Sequence, residues 1–268
     1  MQIDRLAAQR AFADYVRAYD PSDPKIALKI AHTYRVAALC ETIAESIGLL
    51  PEDTDLAWAA GLLHDVGRFE QVRRFGTFND ALSVDHAAEG ARILFAQGHI
   101  RDYLPDARED AQLETAIRSH SLYRLPDTLT ARERTYCDIL RDADKVDILR
   151  VNCDTPLTDI YNVTPAALRA SAVTPAVKDC FFAHRAVLRT LKKTPADNVV
   201  GLASLAFELV YPASIAAVLR QGYLEKLLCF DTANADTAAL LRAMRTELAR
   251  WFAVGAADRA PGRPEDTR

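Results

Sequence analysis

Leu56-Ala57-Trp58-Ala59-Ala60-Gly61-Leu62-Leu63-His64-Asp65-Val66-Gly67 is the stretch on which the fold turns. Its residues are apolar on almost every side, as in a helix sunk in a core, and it shows no period-2 alternation. The polar residues arrive together at its end, as His64 and Asp65, just before Gly67. Adjacent side chains on a helix do not share a face, but at a helix end both reach one point in front of it. A buried helix therefore delivers an imidazole and a carboxylate to a single spot.

Working outward, apolar residues recur at three and four positions almost everywhere, so the chain is expected to be all-α. Helix starts are marked by a capping residue before proline at Asp23-Pro24, Thr164-Pro165, Thr174-Pro175 and Thr194-Pro195, and Thr130 with Glu133 makes a capping box. Helices are expected over 2–19, 24–47, 54–66, 85–97, 107–120, 130–150, 174–192, 195–210, 212–229 and 235–254. Gly67 to Val84, with two glycines, three arginines and three phenylalanines, is expected to be a long loop. One helical domain should span 1–254, and the tail 255–268, with Pro261 and Pro264, should be disordered.

Composition narrows the function. The 268 residues are 50% hydrophobic, enough for a sizeable core, and Lys+Arg of 33 against Asp+Glu of 37 give a net charge of -4. That balance argues against double-stranded nucleic acid and anionic membranes as partners. Cys40, Cys137, Cys153, Cys180 and Cys229 are odd in number and contain no C-x-x-C, which suits a reducing cytoplasm and neither a disulfide framework nor a thiolate zinc site. Met1 to Asp20 carries charges at amphipathic spacing and reads as an amphipathic helix rather than the apolar core of a signal peptide. Val199 to Leu219 approaches the length of a membrane span, but Glu208 and Pro212 favour two core helices instead.

Three further histidines lie on apolar stripes. His32 is in register with Val36, Cys40, Ile43 and Ile47, His86 with Gly90, Ile93 and Leu94, and His120 with Leu113, Ala116 and Ile117. Asp144 points inward with Cys137, Leu140 and Ile148, where a carboxylate needs a partner. His184 shares an inward stripe without an evident carboxylate partner, and His99 follows Gly98; both are expected to be structural. Imidazoles and carboxylates without thiolate suit Fe, Mn, Zn, Co or Ni. Six such ligands exceed one tetrahedral ion and would serve two ions about 3.5 to 4 Å apart, bridged by one Asp.

The order His32, His64-Asp65, His86, His120, Asp144 resembles the H…HD…H…H…D pattern of the HD-domain superfamily, whose members are mostly metal-dependent phosphohydrolases. Gly61 to Arg68 looks like its L-L-H-D-I-G-K, Asp85 to Ala91 like its H-x-x-x-G-A, Ile117 to His120 like its I-x-x-H, and Leu140 to Asp147 like its I-x-x-A-D-x-x-D. The resemblance covers residues 24 to 152, an HD core followed by a helical extension over 153–254. It implies that His32, His64, Asp65 and Asp144 hold one metal, with Asp65 bridging to a second on His86 and His120. Arg68 stands where many members have Lys. Tyr123-Arg124-Leu125-Pro126 stands where cyclic-di-GMP phosphodiesterases have G-Y-P, which lowers the case for that substrate.

The expectation is a metal-dependent phosphohydrolase acting on a small phosphate ester or nucleotide. Its catalytic residues would be Asp65, Arg68 and Lys145, with Arg73 and Arg74 as further cations suited to phosphate. The same ligand set also serves HD-domain diiron oxygenases, and a noncatalytic nucleotide sensor is the third alternative.

Overall fold

The computed structural model of the chain describes residues 3–155 and 163–258. Among them there is no strand, and no helix is long and apolar enough to cross a membrane. Where the sequence leads one to expect a single domain over 1–254, the chain divides into two compact units. One is Met1–Thr155 with Leu209–Ser214, and the other is Pro156–Glu208 with Ile215–Arg268. The return of Leu209–Ser214 to the first unit is silent in the sequence, because helical spacing and capping signals are local.

The first unit carries α1 (Arg5–Val16), α2 (Pro24–Ser46), α3 (Pro51–Leu63), α4 (Val66–Phe75), α5 (His86–Ala91), α6 (Asp110–Ser119) and α7 (Ala131–Asp154). The caps anticipated at Asp23 and Thr130 form, whereas the Thr174 side chain makes no cap bond: the Asp23 side chain accepts from the Lys25 N–H, and Thr130 and Glu133 cap α7 reciprocally. α2 packs along α3 and α7, while α5 lies against α4 and α6. Phe12, Val36, Cys40, Leu63, Phe69, Leu113, Ile117, Leu140 and Val146 fill the space between them.

Two glycines set how closely these helices approach. A Cβ on Gly61 would lie 2.6 Å from the Ala37 Cα, so α3 crosses α2 backbone to backbone and ends beside His32. A Cβ on Gly67 would lie 2.2 Å from the His86 carbonyl oxygen and 2.5 Å from the Gly90 nitrogen, so α4 meets α5 the same way.

The segment Gly67 to Val84, expected as a loop, begins with α4. Val66, Phe69 and Val72 are buried at a three-residue spacing, and Gly76 at φ 65° closes the helix with its N–H on the Val72 carbonyl. Helical rhythm was hidden because the buried face also takes Gly67 and Gln71, while Arg73 and Arg74 stand on the exposed side.

The second unit carries α8 (Pro165–Ala170), α9 (Pro175–Phe182), α10 (Pro195–Ala203), the greater part of α11 (Pro212–Gln221), α12 (Tyr223–Leu227) and α13 (Ala235–Asp258). The helix expected over 174–192 stops at Phe182, since His184 adopts φ 53°, a left-handed turn. Gly222 at φ 69° likewise splits the one expected over 212–229. Thr164-Pro165 does start a helix, α8, which falls outside the ten expected helices. α13 continues through Asp258, so residues 255–258 are helical rather than part of a disordered tail; the rest of that tail lies outside the described residues.

Candidate metal centre

Six helices bring the six expected residues together. His32 comes from the middle of α2, His64 ends α3, Asp65 precedes α4, His86 opens α5, His120 follows α6, and Asp144 lies in the middle of α7. All are buried except Asp144, whose side chain is 15% exposed.

The two oxygens of Asp65 face different partners. Oδ2 lies 3.5 Å from His32 Nε2 and 3.3 Å from His64 Nε2, whereas Oδ1 lies 3.6 Å from His86 Nε2 and 3.8 Å from His120 Nε2. Asp144 Oδ1 joins the first set, 3.1 Å from His32 Nε2 and 3.8 Å from His64 Nε2.

Every one of the four imidazoles is held by its other nitrogen. His64 Nδ1 lies 2.7 Å from the Gly61 carbonyl and His120 Nδ1 2.7 Å from that of Ile117; His86 Nδ1 lies 2.8 Å from Asp80, and His32 Nδ1 2.7 Å from Asp147. A carbonyl or carboxylate only accepts, so each Nδ1 carries the proton, and in the neutral ring each Nε2 presents a bare lone pair to the interior. The Nε2 atoms of His32 and His64 are buried without a hydrogen-bond partner. Those of His86 and His120 stand 3.0 Å apart, where two bare lone pairs repel unless a positive charge lies between them. This is how ligating histidines are oriented, and a nitrogen and oxygen donor set without sulfur fits a divalent transition metal. One ligand atom from each of His32, His64 and Asp144 lies within 4.8 Å of the others, and the same holds for His64, Asp65 and His120.

Burial opposes ionisation of Asp65, but Lys29, His64 and Arg68 overcome it and hold its carboxyl well below the usual range. Half-buried Asp144 and Asp80 and buried Asp147 are likewise lowered, against their desolvation, by His32 and His64, by His86 and Arg68, and by His32 and Arg35. Burial and its neighbours His86 and His64 push His120 down to about 3, and burial with Arg68 lowers His86. His64 is raised, because Asp65 and Asp144 outweigh its burial. In metal-free protein, the lowered carboxylates contribute stability above their ordinary value of 3.8 and lose it as pH falls. The lowered His86 and His120 cost stability below 6.5, whereas the raised His64 contributes below 6.5 and stops contributing as pH rises through its own value. Chelator-treated protein is therefore expected to be most stable near pH 6.5, with melting temperature falling on both sides; a flat profile from pH 5 to 8 would contradict these assignments.

Several residues around these six are not singled out by the sequence. Lys29, one turn before His32, donates to Asp65 Oδ2 at 2.5 Å. Asp80 joins His86 to Arg68, Asp147 joins His32 to Arg35, and Arg141 donates to the carbonyls of His120 and Leu122 where α6 ends. Asp147 sits within the quoted Leu140 to Asp147 stretch, and its place three residues after Asp144 was the available signal. Asp80 lies in the segment taken for a loop.

Arg68 is brought to the cluster. Its Nη1 donates to Gln71, Asp80 and the Phe78 carbonyl, and its buried Nε, without a hydrogen-bond partner, lies 3.6 Å from Asp65 Oδ1. Lys145 is buried, and its charge favours ionisation of Asp142 and Asp138. Arg73 and Arg74 lie on the exposed side of α4 and pair with Glu70 and Glu89. His184 has a carboxylate partner after all, Glu247 at 2.8 Å, and packs against Phe207 and Trp251. His99 is exposed beside Asp102.

Residues 30–149 match the family model of the HD domain. This segment is an HD domain. Such domains make up a superfamily of metal-dependent hydrolases, and the match ends close to the 24–152 core expected from the motifs. No curated protein and no solved structure matches the chain.

Proposed function

We propose that this HD-domain chain is a metal-dependent phosphohydrolase acting on a small phosphate ester or nucleotide. In this reading two divalent ions are held per chain, one by His32, His64, Asp65 and Asp144, the other by Asp65, His86 and His120. The supporting observation is the division of Asp65, whose two oxygens face two separate histidine sets. Divalent ions bound there would lower the pKa of a water from about 15.7 toward 7 and polarise a phosphoryl oxygen.

The chain's own part is orientation and charge. Asp80 and Asp147 fix the His86 and His32 rings, and the carbonyls of Gly61 and Ile117 fix those of His64 and His120. Asp80, Gln71 and the Phe78 carbonyl hold the Arg68 guanidinium so that its Nε–H stays available beside Asp65, as a donor placed in advance for an anionic phosphoryl oxygen. The reading therefore gives the phosphate contact to Arg68 rather than to Lys145.

Metal-loaded protein is expected to release phosphate or a nucleoside product from a panel of phosphate esters and nucleotides without O₂, with Mn or Co as well as Fe. Activity confined to iron and consuming O₂ would replace this reading with the diiron oxygenase. Arg68→Ala is expected to keep its metal but lower kcat/KM by about 10² to 10³, with Arg68→Lys recovering part of it. An unchanged kcat/KM would remove Arg68 from the site.

A further inference from the structure

Lys29 is a charged group at the cluster to which the chemistry proposed above gives no part. Lys29 projects from α2 one turn before His32, its side chain only 13% exposed, and its ammonium donates to Asp65 Oδ2 at 2.5 Å. That oxygen is the one facing His32 Nε2 and His64 Nε2. A lysine thus holds the carboxylate oxygen around which the first set of bare nitrogens converges.

We propose that Lys29 is a built-in counter-ion of the metal centre, holding Asp65 until a divalent ion displaces it and thereby setting the affinity of that ion. The assignment rests on the metal-centre reading above.

Asp65 and Asp144 are two carboxylates drawn toward the same pair of histidines, and with neutral rings and no cation they would repel one another in a medium that screens poorly. The ammonium of Lys29 relieves that repulsion. It carries one charge, so a divalent ion offers Asp65 a stronger partner, whereas Na⁺ or K⁺ offers no greater charge and must also shed its water. Displacement is made easier by Phe78, whose ring centre lies 5.4 Å from Lys29 Nζ and offers the ammonium an aromatic face once Asp65 lets it go. The cost of moving Lys29, and its repulsion of the incoming ion afterwards, both reduce affinity. They also make occupancy depend on the charge of the ion.

The test is Mn²⁺ binding to chelator-stripped full-length protein by titration calorimetry, with wild type compared with Lys29→Met, Lys29→Gln and Lys29→Arg. Without the ammonium, Met and Gln are expected to bind the first Mn²⁺ about tenfold more tightly or better, while Arg stays within about threefold of wild type. Melting curves give an independent readout: metal-free Lys29→Met should melt below metal-free wild type, and Mn²⁺ should raise its melting temperature by more. If Met fails to fold without metal, Gln, which retains a donor for Asp65, carries the comparison. Met and Gln binding no more tightly than a wild type that does bind Mn²⁺ would overturn the assignment alone. A wild type that binds no Mn²⁺ would overturn it together with the metal centre.

Discussion

Asp65→Asn is expected to lose most of both metal ions and more than about 10³ of kcat/KM on any accepted substrate, since several kcal/mol of transition-state stabilisation depend on those ions. The substitution keeps size and shape but exchanges one oxygen for an NH₂ group. Whichever way the amide turns, one histidine set loses its oxygen and meets a donor. If the NH₂ faces His32 and His64 it also faces the Lys29 ammonium, donor against donor; if it faces His86 and His120 it lies toward the Arg68 guanidinium. His120→Ala provides the contrast. His120 approaches Oδ1 only, at 3.8 Å, and its removal should cost about one ion of the two. Elemental analysis of protein prepared without chelator distinguishes the cases: wild type that never exceeds one ion per chain would reduce the centre to a single metal, and Asp65→Asn that retains two would remove Asp65 as the bridge.

The meeting of the six expected residues was legible in the sequence because apolar stripes record which way a helix face points. His32 shares its stripe with Val36, Cys40 and Ile43, all of them buried, so its inward direction followed from its neighbours. The residues that orient these side chains leave weaker traces. Lys29 is on the same side of α2 one turn earlier, but a lysine near an apolar stripe usually reaches back to water, and nothing in the spacing marks one whose ammonium stays with a buried carboxylate. Asp80 acts from a short 3₁₀ turn (Asp80–Leu82) whose path depends on where α4 ends, and α4 itself was obscured by Arg73 and Arg74 on its outer face. The break at His184 was hidden for a different reason, since the residue in the left-handed conformation is neither Gly nor Asn. The two-unit division depends on contacts between distant parts of the chain, with Leu209–Ser214 returning to the first unit. Local periodicity carries no record of such a return. It rests on Asp142, buried on α7 and raised to about 6 by that burial, which accepts from the N–H groups of Val210 and Tyr211.

Gly67→Ala should damage the centre without touching a ligand. The added methyl would stand 2.2 Å from the His86 carbonyl oxygen and 2.5 Å from the Gly90 nitrogen, and both are backbone atoms of a helix that also packs on α6. No rotamer change relieves such a clash, so α5 must move away from α4, at a cost of about 3 kcal/mol, the upper range for overpacking. Moving α5 carries His86 with it, away from His120, from Asp65 Oδ1 and from Asp80, whereas His32, His64 and Asp144 sit on α2, α3 and α7 and keep their places. The expected result is a stable but weakened protein that holds about one ion in place of two, with turnover lost in proportion to the missing ion. Gly76→Ala separates this effect from glycine substitution in general: Gly76 has φ 65° and nothing within 4 Å of its would-be Cβ, so an alanine there meets backbone strain of about 1 kcal/mol and no clash. Denaturant melts and metal content of the two variants decide the matter. If Gly67→Ala keeps both ions and loses no more stability than Gly76→Ala, the close crossing of α4 and α5 is not what positions His86.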